Sequence, residues 1–301
     1  MSSLKRALDR VLAERGPAGY AKFKNKILLS STDKFDDHTT KILPAWRLWV
    51  YPSLPKMDGG NWYHRFGPLT ATAGGFEVQR DVLTGHGPLG ALYPPNTNIR
   101  QKEGDTAMFL YLVPTGMNDP LQPTWGSWAG RFGVRDDLEP RQPTYFWANL
   151  RDTLHGTTHR DHTLARWAAD LQNDFRARMD WCVKPRAEAN HAPVAVLNGD
   201  TSKAILNVNT RPGATVPLSA KGSTDPDGHA LSYEWFVYPE AGSYPGEVPL
   251  ADTKTALARL SIPPDAAEKS IHAVLIVRDT CEPALASYRR AVIQVSGRER
   301  E

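Results

Sequence analysis

The chain has 301 residues, which predicts about two domains and enough apolar sequence to form a core without disulfides or metals. Hydrophobic residues make up 41% and charged residues 23%, which is typical of a folded protein and excludes wholesale disorder. The net charge of +3 is spread without a long basic run and the mean hydropathy is -0.46, so neither a nucleic-acid partner nor a membrane partner is indicated.

The first part of the chain predicts alternating helices and strands. Apolar residues at three- and four-residue spacing over 4–12 predict an amphipathic helix that ends at Gly16. The apolar runs 27–29 and 48–51 predict two strands, and the helix expected between them predicts parallel pairing. An apolar stripe over 164–182 predicts one core helix. We therefore expect an α/β domain with a parallel sheet.

The composition changes at a short polar segment, residues 185–192, after which helical periodicity stops. Beyond it, turn residues separate seven strand candidates, which predicts an all-β immunoglobulin-like sandwich. Trp235 is expected in the core of a central strand. The predicted organisation is an α/β domain over 1–184, a linker over 185–192 and a sandwich over 193–297. The strand candidates are residues 193–197, 204–208, 215–219, 231–237, 256–262, 272–277 and 291–295.

The two cysteines and the first residues say little about the compartment. Cys182 and Cys281 lack C-x-x-C spacing, which excludes thiolate zinc sites and thioredoxin-type motifs. The sequence is compatible either with one disulfide between them or with two buried free thiols. The charged segment 1–10 has no apolar core, so it predicts no signal peptide.

A glycine-rich turn over 222–228 has the sequence GSTDPDG and resembles a turn of immunoglobulin-like modules of the polycystic-kidney-disease type. Asp225 and Asp227 begin like an EF-hand calcium loop. No acidic residue stands at the distal bidentate position, so a hydrogen-bonded turn is the favoured interpretation.

Several residues are candidates for contact with a sugar. Glu103 and Asp105 could accept hydrogen bonds from hydroxyl groups, although Asp105 also fits a helix N-cap. Trp125, Trp128 and Trp147 lie in Gly- and Pro-rich sequence outside any helical stripe. Their planar rings suit the flat face of a carbohydrate, and burial in the α/β core is the alternative. No Gly-x-Gly-x-x-Gly follows a predicted strand, and no Walker-type loop or Gly-x-Ser-x-Gly elbow occurs, which disfavours dinucleotide enzymes, P-loop NTPases and serine hydrolases.

A set of motifs in one order resembles a bacterial cellulose-binding family that joins a nucleoside-hydrolase-like domain to an immunoglobulin-like C-terminal domain. The motifs are GHGPLGALYP at 85–94, EGDT at 103–106, NDP at 118–120, WGSWAGRF at 125–132, QNDFRARMDWC at 172–182 and ANHAP at 189–193. The resemblance implies binding of cellulose or another plant polysaccharide, or of a small glycoside. It also implies a periplasmic or extracellular location.

The resemblance also implies chemistry that this chain matches only in part. Nucleoside hydrolases bind calcium through an Asp cluster after their first strand, and we expect this chain to begin after that strand, with only the C-terminal portion of the domain. The segment 32–37 is not expected to replace the cluster. Asn118 and Asp119 match the stretch that holds the last calcium ligand, so the resemblance implies Asn118 in ligand binding, Asp119 as a metal ligand and Ca²⁺ as cofactor. A turn is the alternative.

Two further hypotheses follow from the same resemblance. A calcium-dependent hydrolase of N-glycosidic or related sugar bonds is the alternative function, with no catalytic residue assigned. An incomplete parallel sheet also leaves an open edge, which predicts a homo-oligomer.

Overall fold

The computed structural model describes residues 2–24, 29–31, 48–50, 75–93, 107–133, 145–147 and 150–297. Glu103 and Asp105 lie outside these residues, as does the segment 32–37. Trp147 is described only as the last backbone position of a strand. The expectations for these residues therefore stay predictions.

Helix α1 (Ser2–Lys24) is interrupted where the sequence predicted a stop. Gly16 has φ 67°, a left-handed conformation that glycine adopts without a steric penalty, and Pro17 follows it with no N–H to donate. Leu8, on the predicted apolar face, is buried.

Three short strands form a parallel sheet in the order β1–β2–β3. They are β1 (Leu29–Ser31), β2 (Leu48–Val50) and β3 (Tyr145–Trp147). Leu48 pairs with Leu29 on one side and with Tyr145 on the other. Parallel neighbours require long crossover connections, which the wide sequence separation of these strands supplies.

Short helices and one hairpin make up the rest of this part of the chain. The elements are a π-helix (Gln79–Leu83), α2 (Gly87–Leu92), α3 (Ala107–Leu112), β4 (Asp152–Leu154), β5 (Thr157–His159), α4 (His162–Ala165), α5 (Ala168–Trp181) and a 3₁₀ turn (Arg186–Glu188). The single helix predicted over 164–182 is thus two helices with a break at 166–167. Its apolar stripe is buried at Leu164, Trp167, Leu171 and Met179.

The C-terminal part consists of two sheets that share one apolar core. A four-stranded sheet has the order β6–β12–β11–β8, with β6 parallel to β12, and a three-stranded antiparallel sheet has the order β7–β10–β9. The strands are β6 (Leu206–Thr210), β7 (Thr215–Ser219), β8 (Leu231–Val237), β9 (Leu250–Ala251), β10 (Leu257–Ser261), β11 (Ser270–Asp279) and β12 (Ala286–Val295).

The strands differ from the predictions in several details: β6 lies two residues later than predicted, β9 was not predicted, and β11 and β12 are longer. Trp235 is buried in the shared core as expected. Its strand β8 is an edge strand rather than a central one, because it stands last in the order β6–β12–β11–β8. The candidate strand 193–197 forms only isolated bridges, from Val194 to Thr224 and from Leu197 to Asp200.

Both cysteines are free thiols in this structure, Cys182 exposed and Cys281 half-buried. This departs from both alternatives, the disulfide and the pair of buried thiols. Across the described ranges, no helix is long and apolar enough to cross a membrane.

Both faces of the four-stranded sheet are covered, which explains why β11 is buried at almost every position. Side chains of a strand alternate between faces. The odd-numbered residues from Ile271 to Val277 join the core shared with the other sheet. Val274 and Ile276 instead pack against residues from the first part of the chain, including Trp128 and Trp167. The α/β part therefore lies directly on the outer face of this sheet.

Candidate functional site

Residues 113–133, called the docked loop below, lie against the outer face of the four-stranded sheet. The backbone N–H of Tyr288 donates to the carbonyl of Thr115 at 3.1 Å. Gly116 has φ 91°, and a Cβ added there would lie 2.0 Å from the Tyr288 carbonyl oxygen. Only glycine permits this approach, so the loop is fixed on β12 by main-chain contact.

Trp128 is the central apolar residue of the docked loop. Its side chain is buried, and its indole Nε1 donates to the Tyr288 hydroxyl at 3.2 Å. The two rings meet edge to face with centroids 6.2 Å apart. No ring face is left for a sugar, so the structure agrees with the alternative of core burial for Trp128.

Trp125 differs from Trp128 because it is only partly buried. Its ring packs edge to face against His272, with centroids 4.8 Å apart and an interplanar angle of 79°. Its backbone N–H donates to the Gln122 carbonyl at 3.1 Å. The ring is thus held in place in a residue that is not fully buried.

Asn118 and Asp119 build the turn that precedes Trp125. Asn118 is buried: its amide donates to the Tyr111 carbonyl, and its Oδ1 accepts from Thr115 at 3.1 Å. The Asp119 carboxylate accepts from the N–H of Leu121 at 2.8 Å, and its carbonyl accepts from the Tyr111 hydroxyl at 2.7 Å. The turn proposed as the alternative for this stretch is therefore present.

The described surroundings of Asp119 do not fit calcium. Calcium takes six to eight oxygen ligands, of which one carboxylate supplies at most two. In the parts of the chain that the structure describes, the one converging group of three or more His, Cys, Asp or Glu residues consists of Asp225, Asp227 and His229. Asp119 is not part of that group.

A buried carboxylate links the docked loop to the C-terminal part. Asp152 is fully buried, with Arg131 Nη1 at 2.8 Å and Arg166 Nε at 3.0 Å from its oxygens. The Tyr238 hydroxyl donates to the same carboxylate at 2.5 Å, and Arg131 also donates to the Glu240 carbonyl. Burial and the neighbouring Asp152 charge raise the pKa of Tyr238 well above its ordinary value.

A second buried carboxylate joins helix α5 to the same sheet. Asp170 accepts from the Tyr288 hydroxyl at 2.5 Å and from Arg278 at 2.8 and 3.0 Å. Arg278 also donates to Glu234 at 2.8 Å. Burial and the Asp170 charge raise the pKa of Tyr288 well above its ordinary value, so this phenol stays a hydrogen-bond donor at neutral pH.

The imidazole beneath Trp125 is neutral at physiological pH. Burial, followed by the charges of Arg290 and Arg131, lowers the pKa of His272 to about 3. Its Nδ1 lies 3.0 Å from Arg290 Nη1 and accepts that hydrogen bond, since a guanidinium can only donate. Trp125 therefore rests on an uncharged support.

The buried ionic residues around the loop were missed by sequence reasoning. Arg131 stands in one of the motifs singled out above, but nothing local marks its partner Asp152, 21 residues further on. A charged residue in a Gly- and aromatic-rich loop was the only available signal.

Comparison with known proteins gives matches over most of the chain. The nucleoside hydrolase-like domain of cellulose-binding Sde182 matches residues 1–132, and the C-terminal domain of cellulose-binding protein Sde0182 matches residues 215–295. A solved structure of a nucleoside hydrolase-related hypothetical protein from Saccharophagus degradans, associated with carbohydrate metabolism, is 31% identical with a TM-score of 0.73. The match covers 98% of this chain and 69% of that protein. The chain belongs to the Sde182 cellulose-binding protein family.

Membership of the Sde182 family confirms the resemblance drawn from the ordered motifs. Two further structures are more distant: the PKD domain from KIAA 1837 protein has 14% identity, a TM-score of 0.27 and coverage of 38% of this chain and 98% of that chain. Human CDH23 EC21-23 has 15% identity, a TM-score of 0.26 and coverage of 35% and 33%. These scores do not establish a shared fold. None of the curated proteins matches the chain.

Proposed function

We propose that this chain binds cellulose or a related plant polysaccharide through the exposed edge of the docked loop, with Trp125 stacking on a sugar ring. The observation that carries the proposal is that Trp125 is only partly buried while the loop around it is fixed to the sheet. Membership of a cellulose-binding family supports the choice of ligand.

The physical advantage of this arrangement is preorganisation. An indole offers a large rigid apolar face, and a ring already held by its neighbours loses little entropy on binding. Gln122 is exposed and Asp119 half-exposed, and backbone hydrogen bonds connect Asp119 to Gln122 and Gln122 to Trp125 in successive turns. The amide and carboxylate can accept hydrogen bonds from sugar hydroxyls beside the ring.

The C-terminal part serves, in this proposal, as the rigid support of the loop. We infer that residues 193–297 form an immunoglobulin-like sandwich, an interpretation supported by two sheets that share one core. A polysaccharide ligand of this kind is extracellular, so the proposal includes action outside the cytoplasm.

Hydrolysis of sugar bonds is the weaker alternative. Calcium-dependent hydrolysis needs a metal-bound carboxylate to activate water. Among the described residues that precede the linker, no group of three His, Cys, Asp or Glu residues converges on one point. Binding without catalysis is therefore the function we favour for this chain.

The proposal is tested by retention of the full chain on insoluble cellulose, with xylan and chitin as comparison polymers. We expect retention on cellulose above that of an unrelated folded protein of similar charge. Absence of retention on all three polymers contradicts the proposal.

A further inference from the structure

The turn after β7 holds two acidic residues and a histidine in a defined arrangement. Asp225 Oδ1 accepts hydrogen bonds from the N–H groups of Asp227 at 2.9 Å and of His229 at 3.0 Å. These bonds confirm the turn predicted from the sequence. They use only one of the two Asp225 oxygens.

The second oxygen of Asp225 is buried without a partner. The Asp225 side chain is 1% exposed, and its Oδ2 has no hydrogen bond. The Nδ1 atom of His229 is likewise buried without a hydrogen bond, 3.4 Å from Asp225 Oδ1. A buried polar atom with no partner is costly, and a carboxylate oxygen can be satisfied only by a donor or a cation.

We propose that Asp225, Asp227 and His229 bind a divalent transition metal ion of the zinc class. One ligand atom from each residue lies within 4.8 Å of the others. Zinc bonds of about 2.0–2.2 Å place tetrahedral ligand atoms about 3.3 Å apart, so small side-chain rotations close the site. An imidazole nitrogen with two carboxylates suits zinc, whereas calcium requires more oxygen ligands.

His191 supplies the outer contact that orients the Asp227 ligand. Its backbone N–H donates to Asp227 Oδ2 at 2.7 Å, and its ring Nδ1 lies 3.0 Å from Asp227 Oδ1. Hydrogen-bonded partners of this kind hold metal-binding carboxylates in position. Burial opposes ionisation of Asp227, but the bonds from His191 outweigh it and keep the pKa of this carboxyl below its ordinary value.

The same histidine connects the metal site to the linker between the two parts of the chain. The His191 ring stacks on Trp181 of α5, with centroids 5.9 Å apart and an angle of 15° between the planes. A metal bound to Asp227 is therefore connected through His191 to helix α5. We expect zinc to raise the unfolding temperature of the full chain, since a ligand that binds only the folded state stabilises it.

The experiment is calorimetric titration of the chelator-treated full chain with zinc chloride, and separately with calcium chloride. We expect one equivalent of zinc with micromolar or tighter affinity, weakened at least tenfold in Asp225→Asn and in His229→Gln. Asp225→Asn keeps an oxygen that can accept the two turn N–H bonds, so the fold is preserved. The matched control is His159→Gln, a histidine outside the cluster, and it should bind zinc like the wild type.

Three results would overturn the proposal. These are absence of zinc binding to the wild type, zinc affinity unchanged in both Asp225→Asn and His229→Gln, and calcium binding as tight as zinc binding. Circular dichroism of each metal-free variant verifies that a lost affinity does not come from unfolding.

Discussion

The hydroxyl of Tyr238 lies 2.5 Å from the Asp152 carboxylate and donates to it across the boundary between the two parts of the chain. Both side chains are buried, and Arg131 and Arg166 form ion pairs with the same carboxylate. A buried, fully partnered carboxylate fixes the relative position of the elements that contact it. We expect the two parts to unfold together as one cooperative unit.

Replacement of Tyr238 by Phe tests this link. The change removes one donor from a buried carboxylate and keeps the ring, so we expect the free energy of unfolding to fall by about 1–3 kcal/mol. Urea denaturation measures it. Tyr244→Phe is the matched control because the Tyr244 hydroxyl also donates to a carboxylate, that of Asp265 at 2.7 Å, but at an exposed position. Equal losses in both variants would contradict a special role for Tyr238.

Replacement of Gly116 by Ala tests how closely the docked loop approaches β12. We expect a loss of at least about 2 kcal/mol, because the added Cβ would overlap the Tyr288 carbonyl in addition to the strain of a positive φ. Gly213→Ala is the control: Gly213 has φ 77° and nothing within 4 Å of an added Cβ, so it reports backbone strain alone. If thermal unfolding shows the same loss for both, the close approach is not a determinant of stability.

The pH dependence of stability should reveal the lowered pKa of His272. Its folded pKa of about 3 lies below the ordinary 6.5, so between these values the unfolded chain binds a proton that the folded chain does not. Stability therefore falls as the pH falls through this window. The contribution is about 1.4 kcal/mol per pH unit at most.

The measurement compares the wild type with His272→Gln by urea denaturation at pH 7 and pH 4.5. We expect the wild type to lose about 2 kcal/mol more than the variant over this interval. Carboxylates such as Glu234, whose pKa is held below its ordinary value by Arg278 against the effect of burial, weaken both proteins equally at low pH. Identical losses would mean that His272 takes up its proton without unfolding.

Sequence patterns located elements whose signal is local. The alternation of apolar and polar residues places β7 and β8 at the predicted bounds of 215–219 and 231–237. The Asp119 turn was also foreseeable, because its side chain bonds to a residue only two positions away.

The burial of the tryptophans and the partners of the buried carboxylates depend on long-range packing, which the local sequence does not reveal. Trp125 and Trp128 stand three residues apart in one Gly-rich motif, and nothing local distinguishes them. Trp128 is buried against Tyr288, 160 residues away, which accepts its indole N–H, whereas Trp125 is only partly buried. The partners of Asp152 were likewise unpredictable, since Tyr238 is 86 residues distant.

The most direct test of the account is a binding isotherm on insoluble cellulose for the wild type, Trp125→Ala and Trp181→Ala. Trp181 is 37% exposed and lies outside the docked loop, so it controls for nonspecific adsorption through an indole. We predict that Trp125→Ala binds at least tenfold more weakly, a loss of about 1.4 kcal/mol, while Trp181→Ala stays within about twofold of the wild type. Wild-type affinity in Trp125→Ala would contradict the assignment of the docked loop as the binding surface.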